Sequence, residues 1–194
     1  MTVLIAQLTD THVVDPDADG HVPDEVYVDN NHRLASAVAS LNAERPVIAV
    51  VLGTGDLTNG ARPGEYERLA DLLAPLTVPF LALPGNHDDR DLLRATCPAT
   101  PWIDAEHASW VTTVGTGDER VRVVGLDSTI PGAPGAGFDD EREEWLRSVL
   151  AEPHDGVTLL ALHHPPFATG VGWMDDSGFV GLARFEAVLA DHPV

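Results

Sequence analysis

The sequence predicts an α/β fold. Short β-branched runs alternate with longer amphipathic runs, four of the short runs are apolar nearly throughout, and no repeat or low-complexity tract interrupts the alternation. With 194 residues the chain suits a single domain over 1–194, able to bury about 70% of the surface that its unfolded form exposes.

Taken in order, Val3 to Leu8 reads as a strand. Asn31 to Asn42 reads as a helix, because Leu34, Ala37, Val38 and Leu41 fall on one face. Val47 to Leu52 is a buried strand. Pro63 opens the next helix at the favoured first-turn position, with Tyr66, Leu69, Leu72 and Leu73 turned inward. Phe80 to Leu83 is a short strand, and Asp89 to Arg94 a short helix. Ser109 to Val114 and Arg120 to Leu126 form a hairpin around "GTGDE". Pro131 to Gly137, "PGAPGAG", reads as a flexible connector too short to divide domains. Asp139 to Leu150 is a helix whose charge run, "FDDEREEWL", reads as a solvated face with acids near the N-terminus, where the dipole favours them. Val157 to Leu162 is a continuous apolar strand, and Leu182 to Ala190 the last helix.

Composition removes several function classes. Eleven basic residues against 31 acidic give a net charge of −20, which repels nucleic acid and anionic membrane. A phosphate-handling site in such a field needs metal. All the basic residues are Arg, so a P-loop lysine, a Schiff-base lysine and a lysine general base are excluded. The single cysteine, Cys97, excludes an internal disulfide and a cysteine-rich zinc site. Any metal is then held by His, Asp, Glu or Asn. "MTVLIAQLTD" lacks the basic n-region of a signal peptide and no later run approaches a membrane span, so the expected location is the cytoplasm.

Chemistry concentrates where strands end. "LIAQLTDTH" ends in Asp10 and His12, "IAVVLGTGDLTN" in Asp56, "FLALPGNHDD" in Asn86 and His87, and "TLLALHHPP" in His163 and His164. Singly, each is ordinary turn chemistry or a satisfied histidine. Together they are more, because open α/β sheets bind ligands beyond the carboxyl ends of their strands, where all four turns can meet. Carboxylate and amide oxygens mixed with imidazoles suit Mn, Fe or Zn, and a shared carboxylate can bridge two ions about 3.5–4 Å apart. Gly53, Gly55 and Gly85 let the backbone turn sharply beside such ions.

The series "DTH", "GDLTN", "GNHDD" and "HHPP", in this order on these strand ends, resembles the calcineurin-like metallophosphoesterase family. Within it, the resemblance is to the branch of class III cyclic-nucleotide phosphodiesterases and glycerophosphodiesterases, and it covers essentially the whole chain. It implies an α/β sandwich of two mixed β-sheets flanked by helices. It also implies a phosphodiesterase with two divalent or trivalent metal ions, Mn, Fe or Zn, acting on a small-molecule phosphodiester such as 3',5'-cyclic AMP. On this resemblance Asp10 and His12 hold the first metal, Asp56 bridges, and Asn86 and His163 hold the second. A metal-bridging hydroxide is the nucleophile, without a covalent enzyme intermediate. His87 lies beside the leaving oxygen as phosphate contact and proton donor. Asn86 also borders the substrate, and His164 lines the pocket, contacts phosphate or orients His163. Of Asp88 and Asp89, at least one is expected to cap the following helix. Symmetric copies of the chain are the expected protein partner.

One departure from the family pattern stands out. The family closes its site with "GHxH" after one more strand, and this sequence has no such motif. The expectation is therefore a chain lacking the C-terminal strands, with three protein ligands per metal and impaired or absent turnover. His192 is expected on an exposed turn after the last helix and supplies no substitute. Two alternatives stand beside the cyclic-nucleotide reading: a glycerophosphodiesterase or phosphomonoesterase, and a silent metal- or nucleotide-binding module.

The loop "PPFATGVGWMDDSGF" bears on substrate. Trp173 is the candidate substrate contact, stacking on a nucleobase, with Met174 and Phe179 beside it. An equal alternative is that Trp173 and Phe179 anchor the loop to the core. His21, His32, His107 and His154 have no ligand neighbours in the pattern and are expected on the surface.

Overall fold

The computed structural model describes residues 2–16, 29–103, 105–117, 119–192 and 194. His21 lies outside these residues. In chain order the elements are β1 (Ile5–Leu8), α1 (Asn30–Ala43), β2 (Val50–Thr54), α2 (Pro63–Leu73), β3 (Phe80–Leu83), α3 (Arg90–Thr96), β4 (Trp110–Val114) and β5 (Val121–Gly125). They continue with β6 (Thr129–Ile130), β7 (Ala133–Gly137), α4 (Asp140–Ala151), β8 (Val157–Ala161), α5 (Gly172–Ser177), β9 (Phe179–Val180) and α6 (Leu182–Asp191).

Two of the sheets make a sandwich. β1, β2 and β3 form a wholly parallel sheet in that order, while β4, β5 and β8 form a mixed one. Their inner faces meet through Val50, Leu52, Leu81 and Leu83 on one side and Trp110 and Val123 on the other. Trp110 is fully buried and its indole N–H donates to the carbonyl of Ala82 across the gap at 2.6 Å. Burying its polar handle with a partner is what makes a Trp tolerable there. Outside the parallel sheet lie α1, α2 and α3, packed through Leu34, Val38, Tyr66, Leu69 and Leu93. Outside the mixed sheet lie α4 and α6, packed through Leu146, Leu150, Phe185 and Val188. The result is four layers, helices on both outer faces. Each such aliphatic or aromatic side chain stabilises the fold by about 1.5–3 kcal/mol when taken from water. β2, the central strand of the parallel sheet, is buried at every residue, which explains its unbroken apolar run.

The α/β class and the order of the main elements are as expected, with local differences. A third small sheet, β6, β7 and β9, adds to the two expected. β7, "APGAG", occupies most of the predicted connector. Its glycines and proline carry no strand signal, and the pairing is imposed by its neighbours: Ala136 pairs with Thr129 on β6 and with Phe179 on β9. The short helix α5 and strand β9 stand within the predicted loop. The solvated face of α4 has one buried exception, Arg142, whose guanidinium donates to the carbonyls of Asp127 and Thr129. Val47 stays outside β2 and is exposed, while the strand runs on to Thr54 and delivers the chain to Asp56. His192 caps α6 and is half-buried.

Among the described residues β1 and β8 are each paired on one side only. Their free edges flank an apolar cleft of about 410 Å³, with the exposed Leu159 of β8 in its wall.

His107 is a correction. It was expected on the surface and is 1% exposed, because it joins a buried network around Asp127. The Asp127 carboxylate accepts from the amides of Ala108 and Thr129 and pairs with the Arg90 guanidinium at 2.7 Å. The amide of Asp127 donates to the hydroxyl of Ser109, which is hydrogen-bonded to His107 Nδ1 at 2.7 Å. This network ties α3 to the β5–β6 turn, so it joins the two halves of the sandwich. Burial, followed by the charge of Arg142, holds the His107 pKa below its ordinary 6.5. The unfolded chain therefore takes up a proton first on acidification. The stability that neutral His107 contributes is complete above about pH 6.5 and is lost below it, by at most about 1.4 kcal/mol per pH unit. We predict that His107→Gln flattens the fall in urea-unfolding free energy between pH 6.5 and 5.5 relative to the wild-type chain.

Candidate metal centre

The parallel strands β1, β2 and β3 all end at one edge, and the turns that follow them carry the candidate ligands. The pairing of β1 with β2 continues past both strands. Asp10 N–H donates to the Gly55 carbonyl, His12 N–H to that of Asp56, Val13 N–H to that of Leu57, and Asn59 N–H to that of Val13. This extended ladder holds three non-glycine residues in the left-handed region: Asp10 at φ 51°, His12 at φ 40° and Asp56 at φ 49°. Such conformations cost about 1–3 kcal/mol each and persist where the surroundings over-determine them. All three are predicted metal ligands.

Gly55 and Gly85 are required for a different reason each. Gly55 has φ 99°, and a β-carbon there would meet His163 Nδ1 at 2.4 Å. A β-carbon on Gly85 would lie 2.2 Å from Asp56 Oδ1. Gly53, in contrast, sits within β2, where the Phe80 ring fills the space of a side chain, so it serves packing and not a turn.

The side chains converge on Asp56. Its Oδ1 lies 3.4 Å from His163 Nε2 and its Oδ2 3.7 Å from His12 Nε2, and Asp10 Oδ1 stands 4.0 Å from the same His12 nitrogen. Two sets of ligand atoms gather within 4.8 Å of one another: His12, Asp56 and His87, and Asp10, Asp56 and His163. Asp56 is common to both. Asn86 lines the same cleft.

The imidazoles are oriented from behind. His163 Nδ1 lies 2.9 Å from the Thr54 carbonyl, His87 Nδ1 2.7 Å from the Asn59 carbonyl, and His12 Nδ1 3.2 Å from Asn59 Oδ1. A carbonyl oxygen only accepts, so each Nδ1 carries the proton and each Nε2 keeps its lone pair for the cleft, the arrangement that metal-binding histidines adopt. The donor set therefore fits hard or borderline ions such as Mn, Fe or Zn. His12 and His87 also meet edge to face, with ring centroids 4.8 Å apart.

Electrostatics follow from the crowding. Burial alone would push the Asp56 carboxyl up, yet the hydrogen bond and charge of His163 and the amide of His87 outweigh it and hold Asp56 below its ordinary range. His163 is correspondingly raised: burial lowers it, and Asp56 more than compensates. His164 differs. It is 8% exposed, its Nδ1 lies 2.8 Å from the hydroxyl of Ser128, and burial with the charge of His163 pushes it down to about 4. It is neutral at pH 7 and packs edge to face on His163 at 4.9 Å.

The cleft has about 540 Å³ and two unlike walls. Beside the ligands stand Phe167, Trp173, Met174 and Phe179, with Pro134 and Leu182. Trp173 is 74% exposed, so it does not anchor its segment; Phe179 does, packing against Phe185 at a centroid distance of 5.6 Å. Asp89 caps α3 by accepting from the amides of Asp91 and Leu92, whereas Asp88 has another role. Sequence reasoning did not assign Asn59, which orients both His12 and His87, although it stands in the quoted "GDLTN". It also missed Ser128 behind His164 and the exposed Phe167 in the cleft wall. Asn59 had a readable signal, a polar residue three positions after a ligand; Ser128 and Phe167 had none.

Three relatives and one family match place the chain. A "Probable cyclic nucleotide phosphodiesterase" of Rhodopseudomonas palustris is 40% identical over 172 residues, covering 87% of this chain and 59% of the relative. A "Probable glycerophosphodiester phosphodiesterase" of Arcobacter nitrofigilis is 30% identical over 197 residues, covering 97% and 69%. The "3',5'-cyclic adenosine monophosphate phosphodiesterase" of Pseudomonas aeruginosa is 30% identical over 192 residues, covering 99% and 66%. The chain thus spans 59% to 69% of the length of these relatives. The calcineurin-like phosphoesterase model matches residues 3–189. Among the described residues no helix is long and apolar enough to cross a membrane.

The geometry makes a test of the turns direct. Gly85→Ala drives a methyl group into Asp56, so we predict at least a 100-fold loss of Mn²⁺ affinity, measured by titration calorimetry, with the fold retained by circular dichroism. By sequence match and by the convergence of its strand ends, the chain belongs to the calcineurin-like phosphoesterase family, a family of metal-dependent phosphoric ester hydrolases.

Proposed function

We propose that this cleft is a two-metal phosphodiesterase site acting on a small-molecule phosphodiester, with 3',5'-cyclic AMP the first substrate to test. The observation that carries the reading is Asp56: one carboxylate oxygen faces His163 and the other faces His12, the disposition of a bridging ligand. On the family resemblance Asp10 and His12 would hold the first ion and Asn86 and His163 the second, whereas the donor atoms gather about Asp56 as His12 with His87 and Asp10 with His163. When bound, such ions supply Lewis-acid stabilisation of charge on the phosphoryl oxygens and lower the pKa of water.

The chain's own residues do the rest. Asn59 and the Thr54 carbonyl lock the imidazole tautomers, so no reorientation is needed when a ligand arrives. His87, with Nδ1 fixed on the Asn59 carbonyl, presents Nε2 to the substrate phosphate, and as the imidazolium, with both ring nitrogens protonated, it would give the Nε2 proton to the leaving oxygen. His164, held neutral, buttresses His163 and borders the phosphate. Trp173 offers an aromatic face to the organic part of the ester, which favours a nucleotide over a glycerol substituent. Two of the relatives are named for cyclic-nucleotide activities and one for a glycerophosphodiester activity, so the glycerophosphodiester is the competing substrate. A metal- or nucleotide-binding module without turnover is the third reading, supported by the two donor sets' having three groups each among the His and carboxylate residues described.

Mn²⁺-dependent hydrolysis of bis(p-nitrophenyl) phosphate separates these readings. The expected result is turnover that Asp56→Asn lowers by at least 1000-fold, in line with loss of a ligand shared by both ions; absence of turnover by the wild-type chain supports the silent module. For His87→Ala, kcat is expected to fall by roughly 100-fold to 10,000-fold on cyclic AMP. The loss should be smaller on bis(p-nitrophenyl) phosphate, whose leaving group needs no proton, and equal losses on both substrates would remove His87 as proton donor.

A further inference from the structure

Asp88 lies two residues beyond Asn86, and its carboxylate reaches back across the site. Oδ1 accepts from the Thr58 amide at 2.9 Å and from the Thr58 hydroxyl at 3.1 Å. Oδ2 accepts from the Leu57 amide at 3.1 Å and from the Gly85 amide at 2.9 Å. Leu57 and Thr58 immediately follow Asp56 in the turn after β2, and Gly85 immediately precedes Asn86 in the turn after β3. The return connection runs from the His87 amide to Asp56 Oδ1 at 2.9 Å.

We propose that Asp88 is a positioning residue whose carboxylate clamps the turn after β2 to the turn after β3, and so sets the spacing between Asp56 and Asn86. The inference rests on the two-metal reading of the cleft. Four partners, two to each oxygen, suit a group that accepts on both oxygens, which at this size is a carboxylate. An asparagine keeps one oxygen and turns an NH₂ group towards two donors, so it breaks half of the clamp while preserving shape. The left-handed conformation of Asp56 gives the clamp its leverage: the residues on either side of that turn are tied to β1 by the extended ladder and to β3 by Asp88. Releasing one tie lets Asp56 relax out of register with Asn86. Groups that orient metal ligands from behind are typically worth about 10-fold to 100-fold in metal affinity.

The test measures Mn²⁺ binding by calorimetry and thermal unfolding by circular dichroism for the wild-type chain, Asp88→Asn, Thr58→Val and Asp89→Ala. Thr58→Val removes one of the four donors with little change of volume and stands in if Asp88→Asn does not fold. Asp89→Ala removes the α3 cap and controls for loss of stability alone. The expected result is Mn²⁺ affinity about 10-fold to 100-fold weaker in Asp88→Asn, about 3-fold weaker in Thr58→Val and within 2-fold of wild type in Asp89→Ala, although Tm falls in all three. Wild-type affinity in a folded Asp88→Asn, or in Thr58→Val where Asp88→Asn is unfolded, overturns the clamp and leaves the metal reading intact. An equal loss in Asp89→Ala overturns it too, since weakening would then track stability. A wild-type chain that binds no Mn²⁺ removes both the metal reading and the clamp.

Discussion

Left-handed backbone in the turns after β1 and β2 is the constraint from which the rest of the centre follows. Asp10, His12 and Asp56 sit at positive φ, where only a few per cent of non-glycine residues are found. A flexible loop would relax out of them. They hold here because the β1–β2 ladder continues beyond the strands as backbone hydrogen bonds between the two turns, and because Asp88 and the His87 amide tie the second turn to the third.

The remainder of the fold makes that edge rigid. Four layers, with Trp110 spanning the gap between the sheets and the Arg90–Asp127 pair joining α3 to the turn before β6, fix the parallel sheet against the mixed one. His163 and His164 arrive from β8 in the second sheet, so the cleft is assembled across the sandwich and depends on how the two sheets pack. A cavity at Trp110 or an unpaired charge at Asp127 would therefore be felt at the ligands, some distance from either residue.

Much of this was legible in the sequence because it rests on local pattern. Continuous apolar runs marked β2 and β8, Pro63 marked the start of α2, and Asp, Asn and His after successive strands marked the centre. Asn59 was half-legible, within a motif yet unassigned, because its function is to orient other side chains and carries no signature of its own. What could not be read was non-local. "APGAG" is a strand only because β6 and β9 flank it, and His107 is buried only because Asp127, Ser109 and Arg142 assemble a polar pocket around it. Residue type alone made it a surface histidine. Trp173 was recognisable as either anchor or contact, and its exposure in the cleft wall speaks against the anchor, while the substrate contact is a proposal.

The central claim is that one carboxylate, Asp56, joins two ion sites. Counting bound Mn²⁺ per chain during a titration followed by electron paramagnetic resonance tests it most directly. Two ions per chain whose signals show magnetic exchange through a shared ligand is the result expected. A single isolated Mn²⁺ signal at saturation, or two signals without exchange, would contradict the bridging role of Asp56 and with it the two-metal account.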